Sequence, residues 1–408
     1  MTKHPKPIRV IGMMSGTSAD GIDVALVRIG AHSANDEIID AKFERHFHAD
    51  FPSTVRRAIL RLANGAPTTT AEISQLNFLL GEEFARAATA ACGHWRVPLR
   101  DVSLIGSHGQ TIYHQSAATR FLGEPKIAST LQIADASVIA ERTGIPTIAD
   151  LRTADMAAGG HGAPLVPFVD YILYRDASRG RIALNIGGIA NFSVIPAAAK
   201  PEQVKAFDTG PGNMVIDALV EHYSEGHSRY DRNAKIALRG RTIAPLIDSL
   251  LADPYFAQKP PKSAGREQFG AAYAAKIATW GRRHRARPED IVRTATMLTP
   301  LSIVDAIHRF VVPHTKIDDL IVAGGGSQNP LIMLQLGALL PGITILEPIK
   351  FGVPAQAKEA FAFAVLANET WRGRTNNLPS ATGAKHPAIL GKLSQPSPAA
   401  QKRRGGPG

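Results

Sequence analysis

Ile11-Gly-Met-Met-Ser-Gly-Thr-Ser-Ala-Asp-Gly-Ile-Asp-Val-Ala-Leu26 reads as a strand, a polar turn and a returning strand. The turn runs from Gly16 through Thr17, Ser18, Ala19 and Asp20 to Gly21, with Ile22 and Asp23 opening the second strand. Its glycines and hydroxyls suit backbone and side-chain donors that close around an anion. Asp20 and Asp23 are out of place beside a phosphate unless a metal ion separates them, which points to phosphate with magnesium. A tight turn alone explains the glycines. It does not explain Ser15, Thr17, Ser18, Asp20 and Asp23, five polar side chains gathered between two apolar strands.

A second hairpin of similar design lies far downstream, Ile182-Ala-Leu-Asn-Ile-Gly-Gly-Ile-Ala-Asn-Phe-Ser-Val-Ile195. It offers Gly187, Gly188 and Asn191 as a second phosphate clamp, although Asn191 also suits a hydrogen bond within its own turn. Two such hairpins in one chain predict two related lobes that grip one nucleotide. Around them, strands are expected at 8–14, 22–29 and 37–47, and helices at 52–64 and 71–93. The longer helix is amphipathic through Leu76, Leu79, Leu80 and Phe84. A helix near 134–143 and a strand at 146–149 close the first lobe. The second restarts with strands at 181–187, 190–196 and 204–208, followed by helices over much of 213–312. Strands at 319–323 and 343–346 and a helix at about 355–371 complete it. This alternation predicts an α/β architecture with mixed sheets, and the three strands opening each lobe predict internal duplication. The expected divisions are an N-terminal lobe over 1–150, a C-terminal lobe over 151–375, a segment over 376–392 packed on the lobes, and a disordered basic tail over 393–408. The glycine-rich junction Asp155-Met-Ala-Ala-Gly-Gly-His-Gly-Ala-Pro-Leu-Val-Pro167 reads as a hinge or substrate loop.

At 408 residues the chain is long enough for two domains. No apolar run approaches the roughly 20 residues of a membrane span, and Met1 to Arg9 does not read as a secretory signal. The single cysteine, Cys92, excludes an internal disulfide framework and suits a reducing, cytoplasmic setting. The net charge of +11 invites a nucleic-acid partner, but its distribution argues against one. Lys3, Lys6 and Arg9 crowd one end, and Arg372, Arg374, Lys385, Lys392, Lys402, Arg403 and Arg404 crowd the other, with no acid after Glu369. The chain between them is close to neutral. The internal run Arg282-Arg-His-Arg-Ala-Arg287 follows a helical pattern and reads as a solvated helix end. The sequence leaves a homodimer open.

Several residues carry two readings. Gly324-Gly-Gly326 follows a buried strand and permits close backbone approach by a flat ligand, as an adenine site needs. Asp208 either caps the helix starting near Asn213 or serves as a general base at the end of a rigid strand. Arg152 is either a surface ion-pair partner of Asp150 or a bidentate clamp for a carboxylate. Glu359 is equally open, because its helix also carries the solvated charges Lys358 and Glu369. His108, His114 and His161 raise a metal-dependent hydrolase as the rival class, although their spacing matches no compact zinc pattern.

As a set, these motifs resemble the anhydro-N-acetylmuramic acid kinase family of the sugar kinase, Hsp70 and actin ATPase superfamily. The resemblance runs from about Arg9 to about Leu393. It rests on Met14-Ser-Gly-Thr-Ser-Ala-Asp-Gly-Ile-Asp23, Gly106-Ser-His-Gly-Gln-Thr111, Ala149-Asp-Leu-Arg152 and the 155–167 junction. It continues through Asn185-Ile-Gly-Gly-Ile-Ala-Asn191, Phe207-Asp-Thr-Gly-Pro-Gly-Asn213, Pro261-Lys-Ser-Ala-Gly-Arg-Glu267 and Ala323-Gly-Gly-Gly326. The resemblance implies a two-lobed, actin-like (ribonuclease H-like) fold with an interlobe cleft. It implies conversion of 1,6-anhydro-N-acetylmuramic acid, ATP and water to N-acetylmuramic acid 6-phosphate and ADP in peptidoglycan recycling, with Mg2+ as cofactor. By the same resemblance Asp208 is the base. Gly16 to Asp23, Gly187, Gly188, Asn191 and Gly324 to Gly326 face ATP, with Asp20 and Asp23 toward the metal. Ser15, His108, Gly109, Gln110, Arg152 and Glu359 are assigned to the sugar. Two positions depart from the family pattern: His161 stands where Gln is usual, and Ala264 where Thr is common.

Overall fold

The computed structural model describes residues 7–30 and 39–404. Its strands are β1 (Ile8–Ser15), β2 (Gly21–Ile29), β3 (Ala41–Asp50), β4 (Leu104–Phe121), β5 (Glu124–Ile133), β6 (Thr147–Ala149), β7 (Arg181–Ile186), β8 (Ile189–Ile195), β9 (Lys205–Pro211), β10 (Asp319–Ala323), β11 (Thr344–Leu346) and β12 (Lys392–Ser394). They form two mixed sheets in two compact units. One unit holds the chain up to Ile172 and again from Gly352; the other holds Leu173–Phe351.

In the first unit the order is β12-β6-β4-β1-β2-β3, with β5 paired to β4. β1 is antiparallel to β2, β2 is antiparallel to β3, and β4 and β6 are parallel additions reached by crossovers. In the second unit the order is β11-β10-β7-β8-β9. Here too three consecutive antiparallel strands, β7 to β9, are extended by the parallel strands β10 and β11. The same order and the same senses occur in both sheets, so the expected duplication is present as topology. This is a ribonuclease H-like strand arrangement, built twice.

Local chemistry sets the helix ends. Helix Thr70–Trp95 starts where Thr69 accepts a bond from the Glu72 amide at 3.1 Å, and it ends on Arg96 in a left-handed conformation. Leu76, Leu80 and Phe84 form its buried stripe, whereas Leu79 is 40% exposed and drops out of it. Helix Ala136–Thr143 is capped by the Asp135 carboxylate, which accepts from Ser137 and Val138 amides.

Helix Lys358–Trp371 corrects the expected division at 150 and 375. From Lys358 to Glu369 only Glu359 escapes burial, so the helix needs apolar cover on nearly all sides. It finds cover on β1, β2 and β4 of the first unit. Gly12 and Gly106 sit opposite each other on β1 and β4. A Cβ on Gly12 would strike the Ala360 carbonyl and lie 2.6 Å from the Ala364 nitrogen; one on Gly106 would meet the Phe363 carbonyl and Ala367. Two glycines thus let the helix backbone settle onto the sheet.

The 393–408 tail also departs from expectation, because residues up to Arg404 are ordered; 405–408 lie outside the described residues. β12 closes the sheet edge by pairing with β6. Helix Pro398–Arg404 then docks through Ser397 and Arg403 on Glu141 (3.0 Å each) and through Arg404 on the Leu99 and Arg100 carbonyls at 3.0 and 3.1 Å. Composition indicates disorder, but Arg403 and Arg404 also supply donors for an acid and for free carbonyls. The β4–β5 hairpin was not expected at all. Its outer half is exposed, so no buried period marks it in the sequence. The expected strand at 37–47 begins in residues outside the described set, and its described part is β3. Among the described residues no helix is long and apolar enough to cross a membrane.

Candidate active site

In the first unit, β1 and β2 pair through Met14 opposite Asp23 and leave Gly16–Asp20 as the connecting turn. The Ala19 amide donates to the Gly16 carbonyl at 3.1 Å, and Ala19 itself takes φ +49°. A Cβ on Gly16 would meet nothing within 4 Å, so the backbone there is open to approach. Gly21 has a different reason: a Cβ would lie 2.7 Å from His48 Nε2 and press into the Ala49 carbonyl. Asp20 accepts from Arg56 at 2.9 and 3.1 Å, and Arg56 also donates to the Ser18 carbonyl at 3.3 Å. Asp23 Oδ1 binds both His46 Nε2 at 3.0 Å and His48 Nδ1 at 2.9 Å. Burial alone would raise the Asp23 carboxyl, but the two histidine bonds outweigh it and hold the pKa below the usual carboxylate value.

Ser15 and Gln110 act on this turn from behind. The buried Ser15 hydroxyl donates to Gln110 Oε1 at 2.6 Å, and Gln110 Nε2 donates to the carbonyls of Gly16 at 3.3 Å and Thr111 at 3.1 Å. Gly109 takes φ +69° where β5 passes close by, with the Ile133 carbonyl 2.7 Å from any added Cβ. The next link is His108, 3% exposed, whose Nδ1 donates to the Gly109 carbonyl at 3.1 Å. Its Nε2 accepts from Arg152 Nε at 2.9 Å. Burial, with the Arg152 charge adding, drives the His108 pKa well below the ordinary value, so the ring is neutral and its tautomer is fixed by its two partners.

Arg152 also donates through Nη1 to the Gly162 carbonyl at 2.7 Å. Burial pulls its pKa down to about 10, against the opposing charges of Glu359 and Asp155, so it stays cationic at neutral pH. The loop that carries Gly162 is fastened by buried Asp155. One carboxylate oxygen accepts from Asn377 and Thr382 at 2.6 Å each, and the other accepts from the Gly162 amide at 2.8 Å. The expected hinge is therefore a pinned loop wholly inside the first unit. His161 is exposed on it, and its amide donates to the Thr382 carbonyl at 2.8 Å. Glu359 opens helix Lys358–Trp371 and faces solvent, next to Lys358, whose Nζ meets buried Asp170 at 2.7 Å. Desolvation raises the Glu359 pKa and Asp23 adds to this, while Lys358 and Arg152 oppose it.

In the second unit the sheet register lines up several of the candidate residues. Ala323 lies opposite Asn185, Asn185 opposite Asn191, and Asn191 opposite Asp208, giving one row across β10, β7, β8 and β9. The Gly187 and Gly188 carbonyls accept from the amides of Asn213 (2.8 Å), Gly212 (2.9 Å) and Met214 (3.1 Å), so this turn is bonded to the start of helix Asn213–Tyr223. Asp208 does not cap that helix. Its Oδ2 accepts from the Ala264 amide at 2.8 Å, its amide donates to the Lys262 carbonyl, and its carbonyl accepts from the Tyr255 hydroxyl at 2.8 Å. No described residue bonds to Oδ1. Burial lifts the Asp208 carboxyl to about 6, with Glu267 adding and the Ala264 amide and Lys262 opposing. Lys262, 9% exposed, is pulled down to about 8 by burial. Because Ala264 acts through its backbone, the departure from Thr at that position leaves this bond intact.

Gly324 takes φ +85° at the end of β10, where a Cβ would lie 2.6 Å from both Asn185 Oδ1 and the Ile186 carbonyl. Gly325 lines an open cavity of about 520 Å³ with Asn213, Asp217, Tyr230, Arg232 and Gln328. Asp217 was not anticipated. The available signal was its spacing, one helical turn after Asn213 and so on the same face. Burial pushes its carboxyl up to about 7.

The sequence pattern that defines the family described as "Anhydro-N-acetylmuramic acid kinase" matches residues 8–396. An anhydro-N-acetylmuramic acid kinase of Caldanaerobacter subterraneus subsp. tengcongensis is 43% identical over 385 residues, covering 94% of this chain and 96% of that one. Another, from Bacillus cereus, is 42% identical over 391 residues, 95% of this chain and 99% of its own. Among solved structures, component A of the Acidaminococcus fermentans (R)-2-hydroxyglutaryl-CoA dehydratase covers 89% of this chain and 98% of its own at 10% identity, with a TM-score of 0.43. With this pattern and this identity over nearly its whole length, the chain belongs to the anhydro-N-acetylmuramic acid kinase family.

Proposed function

We propose that this protein is an ATP-dependent kinase that turns 1,6-anhydro-N-acetylmuramic acid and water into N-acetylmuramic acid 6-phosphate. The observation that carries the mechanism is Asp208, a carboxylate fixed through one oxygen by the Ala264 amide, with its other oxygen bonded to no described residue. In the anhydro sugar O6 is tied to C1 in an internal acetal, so there is no free 6-hydroxyl. Asp208 takes a proton from water, the water oxygen bonds to C1, and the C1–O6 bond breaks. O6 keeps that electron pair and attacks the γ-phosphorus of ATP, and ADP leaves. The product has a new hydroxyl at C1 and a phosphate on O6, so atoms and charge balance.

In this reading Arg152 pairs with the lactyl carboxylate of the sugar, because a guanidinium held by His108 and Gly162 has its plane fixed in advance. His108, Gly109 and Glu359 flank it, while Ser15 and Gln110 hold the Gly16 carbonyl and so shape the phosphate turn. The turns at Gly16–Asp23 and Gly187–Asn191 receive the phosphates, and Gly324–Gly326 the nucleoside. Magnesium bound with ATP would neutralise charge on the phosphates. Of the two acids assigned to it, Asp20 fits better, being solvent-facing with only Arg56 as a side-chain partner. Asp23 fits poorly, because one of its oxygens already holds two histidines. The expected setting is the cytoplasm, in cell-wall recycling.

Purified protein with the anhydro sugar, ATP and magnesium is expected to release ADP in step with a 6-phosphorylated sugar. ADP release that ignores the sugar would refute the assignment. The pH profile gives a second check. Asp208 acts only when ionised and titrates at about 6, so kcat/KM is expected to fall about tenfold per pH unit below 6 and to level off above it. A profile flat down to pH 5 would contradict the role. Arg152→Lys keeps the charge but loses the fork, and is expected to raise the KM for the sugar about tenfold or more with nucleotide affinity unchanged. A KM within twofold of the parent would remove Arg152 from sugar binding.

A further inference from the structure

We propose that the Asp217 carboxylate takes hydrogen bonds from the ribose hydroxyls of the bound nucleotide and so makes the enzyme select ribonucleotides over deoxyribonucleotides. The inference deepens the nucleotide part of the proposed function and rests on it. The cavity that Asp217 lines holds about 520 Å³, within the roughly 300–1,000 Å³ of small-molecule sites. One wall is Gly325, part of the turn that ends β10. This lies at the carboxyl end of a parallel strand, where nucleotides gather in α/β sheets.

The other acidic and capping groups in the lining are already engaged. Asp231 accepts from the Ile236 and Ala237 amides at 2.8 and 2.9 Å, one on each oxygen. Asn329 Oδ1 accepts from the Leu331 and Ile332 amides and caps helix Pro330–Leu339. Arg232 donates to the Tyr230 hydroxyl at 3.1 and 3.3 Å. Asp217 differs: it is half-buried and bonds to no described residue. Burial lifts this carboxyl to about 7, so above neutral pH it is ionised and accepts only; its natural occupant then brings donors and not more negative charge. Two vicinal hydroxyls of a ribose match its two oxygens, and a half-buried acceptor left unfilled is costly. The phosphates cannot serve here, and the hairpin turns already account for them.

The test is calorimetric binding to the full chain, without sugar, of magnesium complexes of ATP, 2′-deoxy-ATP, 3′-deoxy-ATP and ITP. The parent is expected to bind ATP at least about tenfold more tightly than either deoxy analogue. Asp217→Ala is expected to weaken ATP most and each deoxy analogue less, because each analogue keeps one hydroxyl, so that the three affinities converge. Asp217→Asn, close in shape, guards against a folding artefact and is expected to narrow the preference with an unchanged melting temperature. Equal loss for all four ligands, or none, overturns the proposal. So does loss of the ATP-over-ITP preference alone, which would place Asp217 on the base. A parent that binds no nucleotide overturns both this inference and the nucleotide reading beneath it. A ribose preference without sugar phosphorylation leaves this inference standing and sinks only the sugar.

Discussion

Asp208→Asn is expected to lower kcat about a thousandfold, within the 10²–10⁴ that a positioned general base supplies, with the Kd for ATP nearly unchanged. The amide keeps the shape of the carboxylate and can still accept from the Ala264 amide, so the local structure has no reason to move. What it loses is the ability to take a proton from water. Stability separates this effect from unfolding. The folded carboxyl titrates at about 6, above the roughly 3.9 of an unfolded aspartate, so the native state binds its proton more tightly. Native stability from this group therefore rises as pH falls from about 6 towards 4, and at pH 7 the ionised, buried group is a cost. Asp208→Asn should accordingly be no less stable than the parent at pH 7. Turnover within tenfold of the parent, in a variant that melts normally, would remove Asp208 from the mechanism.

The second large effect belongs to the fold. Gly12→Ala is expected to cost about 3 kcal/mol or more, or to prevent folding, because the new methyl would run into the backbone of Ala360 and Ala364 and no side chain there can yield. Urea unfolding reads the loss as a lower midpoint. Gly106→Ala, opposite it on β4, should behave alike. Gly16→Ala is the contrast, since its methyl meets nothing within 4 Å; it should fold normally. Near-parental stability for Gly12→Ala would mean that helix Lys358–Trp371 is not seated on β1 and β4. The same seat fixes Glu359 at the start of that helix, so this fold contact also sets a candidate sugar residue.

The two hairpins, most strand positions and the long amphipathic helix were legible because each is a local pattern: period, turn chemistry or a cap. Asp208, the glycine turns and Arg152 stood out in the sequence as chemistry-bearing types in or just after strands, although β9 runs on past Asp208 to Pro211. The return of helix Lys358–Trp371 to the first unit was not, because a helix buried on nearly every face carries no period that names its partner. Gly12 and Gly106 held that information, each looking like an unremarkable glycine within a strand. The tail misled through its composition, since the serines, prolines and cations that suggest disorder also close a sheet edge and cap free carbonyls. His108 was seen as a residue but not as the bridge to Arg152, a contact between positions 44 residues apart in sequence.

The central claim is that water attacks C1 while O6 carries the phosphoryl group away from ATP. Turnover in ¹⁸O-labelled water followed by mass spectrometry of the products tests it directly. The account predicts one ADP per sugar 6-phosphate, with no heavy oxygen at O6 or in the phosphate and, in product quenched before the anomeric oxygen exchanges with solvent, heavy oxygen on C1. Label in inorganic phosphate without a phosphorylated sugar, or an unlabelled C1 in the product, would contradict it.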